Sequence, residues 1–313
     1  MLDTIDMTIA VCRDLTPLIR EYVLAPVGGL TLPAAEPGAH IGVLSPSGAW
    51  RQYSLVDPAK APATYRIAIK REAEGRGGSA SIHEGWAAGQ QITIQSPHND
   101  FPLLQAPKYL LIAGGIGVTP IYSMAQALVQ QGAQVQMIYC TRSPEDTAYS
   151  AELKTLLGSR LTLHHDGGDP DQVYDFWHHF AEPQMMHVYC CGPAALMEEI
   201  RDICGHWPEG RVNFEDFAGV EAVRADDTAF EIRLNKSGRT LEVPADKSIL
   251  ETLRDAGTIV ASSCESGTCG TCKCGLVAGE VDHRDMVLMD EEKASRIMIC
   301  VSRAKSGVLV LDL

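Results

Sequence analysis

Apolar and polar positions follow three successive regimes along the chain. Up to about residue 104, apolar residues come in short alternating or β-branched runs: Thr8–Cys12, Gln52–Val56, Tyr65–Lys70 and Gln91–Gln95. Turn clusters such as Pro26-Val27-Gly28-Gly29 and Pro46-Ser47-Gly48 separate them. Many short strands punctuated in this way predict an antiparallel barrel or sandwich. After Pro107 the pattern changes. Tyr109-Leu110-Leu111-Ile112-Ala113 is continuously apolar, as a strand buried on both faces must be. Thr119 as N-cap and Pro120 as first helical residue open a helix with Ile121, Met124, Ala125, Leu128 and Val129 at helical spacing, and Gly132 stops it. Strands at Val135–Cys140, Leu161–His165 and Met186–Cys191 alternate with helices at Ala151–Leu157 and Ala194–Cys204, predicting a doubly wound parallel sheet. From about Val223 a third regime begins. Phe230–Leu234 and Arg239–Val243 flank a hairpin turn, Ser248–Ala256 reads as a helix, and Val308–Leu313 as a closing strand. The division expected is therefore 1–104, 105–222 and 223–313.

Length agrees with this count, since 313 residues at about 100–200 per domain give two or three domains. A net charge of −14 argues against a nucleic-acid binder, which would need a basic face to neutralise phosphates, so no nucleic-acid role is expected. No apolar run approaches the roughly 20 residues needed to span a bilayer. The start of the chain lacks the basic and apolar segments of a secretion signal, so a cytoplasmic, membrane-free protein is expected.

Cysteine usage turns the picture towards redox chemistry. Of 10 cysteines, four crowd into 264–274 and another follows at Cys300. Disulfides are not expected in a cytoplasmic chain. Cys264, Cys269, Cys272 and Cys300 have the C-x4-C-x2-C…C spacing of a plant-type [2Fe–2S] site. Gly267 and Gly270 let the backbone wrap closely around the sulfurs. A structural zinc site remains the rival, although it more often uses two C-x2-C knuckles. Cys274, two residues past a ligand, reads as structural.

Two further segments suit phosphate-bearing cofactors. Gly114-Gly115-Ile116-Gly117-Val118-Thr119-Pro120 joins a strand to a helix, where glycines admit a pyrophosphate to free N–H groups. By itself it is equally a plain tight turn. Arg51-Gln52-Tyr53-Ser54 offers a guanidinium able to fork onto a phosphate, or alternatively an ordinary amphipathic strand.

These segments, with Cys191-Gly192-Pro193 and Gly77-Gly78-Ser79, resemble the ferredoxin–NADP reductase superfamily. Residues from about Phe230 to Leu313 resemble a plant-type ferredoxin. The module order resembles the phthalate dioxygenase reductase family, which includes vanillate demethylase reductase subunits. The fold that this implies is an antiparallel β-barrel for a flavin, an α/β doubly wound nicotinamide domain and an α+β (β-grasp) ferredoxin domain. The same resemblance places Arg51, Gly77, Gly78 and Ser79 at the flavin phosphate. It sets Tyr53 on the isoalloxazine ring and Ser54 near its N5, with Gln52, Ala68 and Lys70 also lining the flavin. Gly114, Gly115, Gly117, Thr119 and Pro120 would take the pyrophosphate, Thr141 and Arg142 the far end of the nucleotide, and Cys191, Gly192 and Pro193 the nicotinamide. Ser54 and Cys191 are then the catalytic pair. A phenylalanine of Phe214-Glu215-Asp216-Phe217 would approach the flavin.

The implied cofactors are FMN, with FAD open, a [2Fe–2S] cluster, and NADH, with NADPH open because Arg142 suits a 2′-phosphate. Electron counting orders them. NADH delivers two electrons, the cluster accepts one, and a flavin converts between the two. The implied partner is a Rieske-type oxygenase acting on an aromatic compound, and a monomer is expected. The alternatives are a stand-alone flavin reductase or diaphorase, and a non-enzymatic electron carrier or redox sensor.

Overall fold

The computed structural model describes the chain except residues 1–3, 49, 73–76, 218–221, 225, 263–266 and 268–269. It divides into two compact units, Met1–Phe217 and Ala218–Leu313.

The first unit begins with a six-stranded antiparallel sheet: β1 (Thr4–Asp14), β2 (Ile19–Pro26), β3 (His40–Leu44), β4 (Trp50–Ser54), β5 (Tyr65–Lys70) and β6 (Gln91–Gln95). Its order is β4-β3-β6-β1-β2-β5, and the sheet curls until its edges β4 and β5 approach one another. Alternate residues such as Met7 and Ile9, Ile41 and Val43, and Ile67 and Ile69 face one core, the period of two imposed by the pleat. Helix α1 (Gly78–Gly85) covers that core with Ile82.

Five parallel strands follow: β7 (Lys108–Gly114), β8 (Gln134–Thr141), β9 (Leu161–His165), β10 (His187–Cys191) and β11 (Val212–Glu215), in the order β11-β10-β7-β8-β9. The continuous apolar run of β7 is explained by its two faces. Tyr109, Leu111 and Ala113 join one core with α2 (Val118–Gln130) and α3 (Ser150–Leu157), whereas Leu110 and Ile112 join another with α5 (Ala194–Ile203) beyond the short α4 (Trp177–Phe180). The expected helical stripe of α2 holds, since Ile121, Met124, Ala125 and Leu128 are all buried. Its start lies two residues before the one the sequence reading gives. Gly117 is the N-cap, and Thr119 lies inside the helix, its hydroxyl donating to Ile116 O at 3.1 Å. The preceding 3-10 turn Gly115–Gly117 runs directly into the helix, which removes the need for a side-chain cap. Pro120 is tolerated because the first four helical N–H groups have no intrahelical partner.

The second unit carries a mixed sheet of β12 (Phe230–Leu234), β13 (Thr240–Val243), β14 (Lys273–Asp282), β15 (Arg296–Met298) and β16 (Arg303–Leu311), ordered β13-β12-β16-β14-β15. β12 and β16 run parallel, and the other pairings are antiparallel. Helix α6 (Ile249–Asp255) packs Ile249, Leu250 and Leu253 on the sheet. The Ser248/Glu251 capping box starts it, with Glu251 N donating to Ser248 Oγ at 3.1 Å and Ser248 N to Glu251 Oε2 at 2.8 Å. Asp227 pins the segment before β12. It takes Arg284 Nη1 at 2.9 Å and lies 3.4 Å from Arg303 Nε, and these contacts hold its carboxyl down at about 2. Among the described residues, no helix is long and apolar enough to cross a membrane.

Candidate functional site

In the parallel sheet the chain moves outward from β7 through β8 to β9, then returns to the far side of β7 with β10. The strand order therefore reverses between β7 and β10, and ligands of open α/β sheets bind at the carboxyl ends of strands beside such a switch point. The turns Gly114–Gly117 and Cys191–Pro193 are the carboxyl-end turns of those two strands. They touch each other, for a Cβ on Gly117 would sit 2.2 Å from Cys191 O. Tyr139 Oη donates to Gly115 O at 3.1 Å and fixes the first turn from β8. Thr119 is buried, and Cys191 is wholly inaccessible, with burial pushing its thiol well up. Pro193 caps α5. Thr141 is committed to protein, its hydroxyl lying 2.8 Å from Thr147 Oγ1 and 2.9 Å from His165 Nδ1. Arg142 next to it is exposed.

On the antiparallel sheet, Arg51 of β4 lies against the first turn of α1. A Cβ on Gly78 would meet Arg51 Nε at 2.7 Å. A guanidinium is thus placed beside a helix N-terminus, two anion-binding devices in one spot. Gly77, the N-cap, and Ser79 complete it, and Ser79 Oγ accepts from Glu72 N at 3.1 Å. Gln52 and Tyr53 are half-buried on β4. Ala68 is buried on β5, and Lys70 is paired with Glu72 at 2.7 Å. Ser54 ends β4 buried, and its Oγ has no hydrogen-bond partner among the described residues.

A line of groups connects Ser54 to Cys191. Ser54 pairs with His40 across β3, and His40 Nε2 stands 4.0 Å from Asp100 Oδ2. Asp100 acts electrostatically on Glu215, which stands beside Cys191 in the parallel register of β10 and β11. The sequence reading passed over Glu215, treating its segment only for phenylalanine. Its one visible signal was an acid closing a strand parallel to the Cys-Gly-Pro strand. Its Oε2 is buried without a partner among the described residues, and burial with the Asp100 charge pushes the carboxyl up to about 8. An acid whose folded pKa is raised from 4.5 adds stability below that value and loses it as pH rises through about 8. Melting temperature is expected to fall over this window, and Glu215→Gln should flatten the fall; parallel melts from acid to pH 8 check this. Of the two phenylalanines, Phe214 is held under Arg201 at 4.6 Å, and Phe217 is 45% exposed.

In the second unit, Cys272 and Cys300 are buried with their sulfurs 2.8 Å apart, though 28 residues separate them. Gly267 takes a left-handed φ of 78°, which a glycine adopts without strain. Cys264 and Cys269 lie outside the described residues. Cys274 is also buried, with its sulfur 3.5 Å from Gly275 O.

Comparison with known proteins agrees with this geometry. A model of the oxidoreductase NAD-binding domain matches residues 111–202, and a model of the 2Fe-2S iron-sulfur cluster binding domain matches 232–305. The chain is 48% identical to phthalate dioxygenase reductase of Burkholderia cepacia over 94% of this chain and 93% of that protein. The chain belongs to the phthalate dioxygenase reductase family. A solved structure of phthalate dioxygenase reductase, described as modular for electron transfer from pyridine nucleotides to [2Fe-2S], superposes with a TM-score of 0.86 at 47% identity, covering 99% of this chain and 98% of that one. Vanillate O-demethylase oxidoreductase of a Pseudomonas species is 41% identical over 97% of this chain and 96% of its own length. As a member of the family, this protein is an oxidoreductase that passes electrons from a nicotinamide nucleotide to a [2Fe–2S] cluster.

Proposed function

We propose that this member of the phthalate dioxygenase reductase family uses NADH and FMN and delivers single electrons to a Rieske-type oxygenase acting on an aromatic compound. Support for the flavin is the buried Ser54 Oγ, without a hydrogen-bond partner among the described residues, on the same strand as an Arg51 guanidinium laid against the α1 N-terminus. Arg51, Gly77, Gly78 and Ser79 would hold its phosphate, with Gln52, Tyr53, Ala68 and Lys70 along the ring, and Phe217, the exposed phenylalanine, would cover it. The nicotinamide nucleotide would lie over Gly114, Gly115, Gly117, Thr119 and Pro120, with Arg142 at its far end and Cys191, Gly192 and Pro193 at the nicotinamide. Ser54 and Cys191 would orient the reacting rings, and a protonated Glu215 would supply a neutral donor beside them. A bound flavin supplies the change from two-electron to one-electron transfer. Cys264, Cys269, Cys272 and Cys300 would ligate the cluster, with the adjacent Cys272 and Cys300 sulfurs on one iron. The modules would be residues 1–104, 105–222 and 223–313, working in the cytoplasm as a monomer.

Anaerobic titration of the purified protein with NADH, followed in the visible, tests the reading. Flavin and iron–sulfur bands should bleach in sequence, and cytochrome c should then be reduced. A preparation that binds no flavin when reconstituted with FMN would overturn it.

A further inference from the structure

Within the first unit, hydride transfer requires that the ring held by β4 and the ring held at the ends of β7 and β10 meet in one geometry. The apolar core shared by the two sheets, which includes Ile19, Val56 and Ala68 with Leu111, Ile121 and Met124, opposes their separation. Apolar burial is non-directional, however, and sets no register. A polar assembly crosses the same junction. Tyr149, which precedes α3, is the one non-glycine residue with positive φ among the described residues, at φ 59° and ψ 19°. A bulky residue in the left-handed region is strained and persists only where its surroundings hold it there. What holds it is visible. Tyr149 Oη donates to Glu21 Oε2 at 3.0 Å, across 128 residues of sequence. Glu21, 3% exposed, also receives Arg13 at 3.0 Å and Arg66 at 3.3 Å. Arg66 lies 5.5 Å from the Tyr149 ring and 6.0 Å from Tyr122 of α2, and its Nε donates to Asp57 at 2.8 Å.

The assembly touches both cofactor supports. Glu21 pairs directly with Ala68, and Arg66 shares the β5 face of Ala68 and Lys70. One turn after Tyr122 on α2, Gln126 Nε2 donates to Val56 O at 2.8 Å, two residues beyond Ser54. The helix that begins at the glycine turn is therefore tied to the strand end that carries the flavin serine. Buried charge-assisted bonds are directional and tolerate little sliding.

We infer that Tyr149, with Glu21 and Arg66, is a positioning residue for hydride transfer, locking the nicotinamide-bearing sheet in register with the flavin-bearing sheet. The inference rests on the cofactor placement proposed above. The test is stopped-flow mixing of the flavin- and cluster-loaded enzyme with NADH. For Tyr149→Phe, the limiting rate of flavin bleaching should fall roughly tenfold to a hundredfold, as for reacting groups displaced by about an ångström. The dissociation constant for NADH should stay at its wild-type value, because no nucleotide contact is removed. A merely structural tyrosine would lower the melting temperature and leave the limiting rate alone. Should Tyr149→Phe fail to load flavin, Arg66→Lys keeps the charge, loses the fork and carries the same expectation. A fully loaded variant with the wild-type limiting rate overturns the inference. Wild-type enzyme that NADH does not bleach overturns instead the cofactor placement beneath it.

Discussion

Cys300→Ser is expected to abolish NADH-driven reduction of cytochrome c while leaving the bleaching of the flavin by NADH intact. The reason lies in the ligand. Cys272 and Cys300 bring their sulfurs within 2.8 Å inside the core of the second unit, so together they present a two-thiolate claw. Iron–sulfur clusters are held by thiolates, and a serine hydroxyl is harder and stays protonated at neutral pH. Loss of one ligand should release the cluster. It should also lower the melting temperature of this unit, because metal-binding free energy is folding free energy in small metal domains. Flavin and nicotinamide are assigned to the other unit, which the substitution does not touch. Cys274→Ser is the control. Cys274 is buried with its thiol towards Gly275 O, so the cluster and cytochrome reduction should survive. Iron and sulfide content with the cytochrome assay decides the matter. A Cys300→Ser protein that retains full iron would overturn the ligand assignment.

Gly117→Ala is expected to have the largest effect in the first unit. Its new Cβ would meet Cys191 O at 2.2 Å, Cys191 C at 2.5 Å and Gly192 N at 2.8 Å, all of them backbone atoms at the end of strand β10. Real contacts are never so close, so one turn must move from the other. Overpacking of this kind costs about 1–3 kcal/mol of stability. The functional loss should be larger, on the order of a hundredfold in the rate of flavin bleaching, because the displaced turns are those that seat the nucleotide. The cluster should remain reducible by dithionite, which separates this effect from general unfolding. A wild-type bleaching rate in the alanine variant would mean that the nucleotide sits elsewhere.

Much of the fold can be read from local pattern. Strands Tyr65–Lys70, Gln91–Gln95, Leu161–His165 and Phe230–Leu234 stand where their apolar alternation places them. The α2 stripe follows from 3.6-residue periodicity, and the apolar run of β7 follows from helices on both faces. Among the elements that this pattern does not reveal are β2, β3, β14, β15, α1 and α4. β2 and β3 carry polar and charged residues such as Glu21 and His40 at buried positions, which breaks the alternation that signals a strand. Helix α1 is a glycine- and serine-rich segment whose propensity favours a loop, and it is helical because Ile82 docks in the core.

Sequence alone determined the chemistry here: which residues carry thiolates, glycine turns and the Arg-x-Tyr-Ser strand, and hence an electron-transfer family with cluster and nucleotide sites. Such signals are local, set by residue type and spacing within a few turns of chain. Only the tertiary structure decided what meets what. It paired Cys272 with Cys300, brought the Gly117 turn against Cys191, left Ser54 Oγ and Glu215 Oε2 without a hydrogen-bond partner among the described residues, and joined Tyr149 to Glu21. Each of these depends on contacts between segments far apart in the chain, formed when sheets pack and strands return beside earlier ones. No local periodicity encodes such a meeting, so Cys272 and Cys300, recognisable as ligands from their spacing, became a facing pair only through the fold.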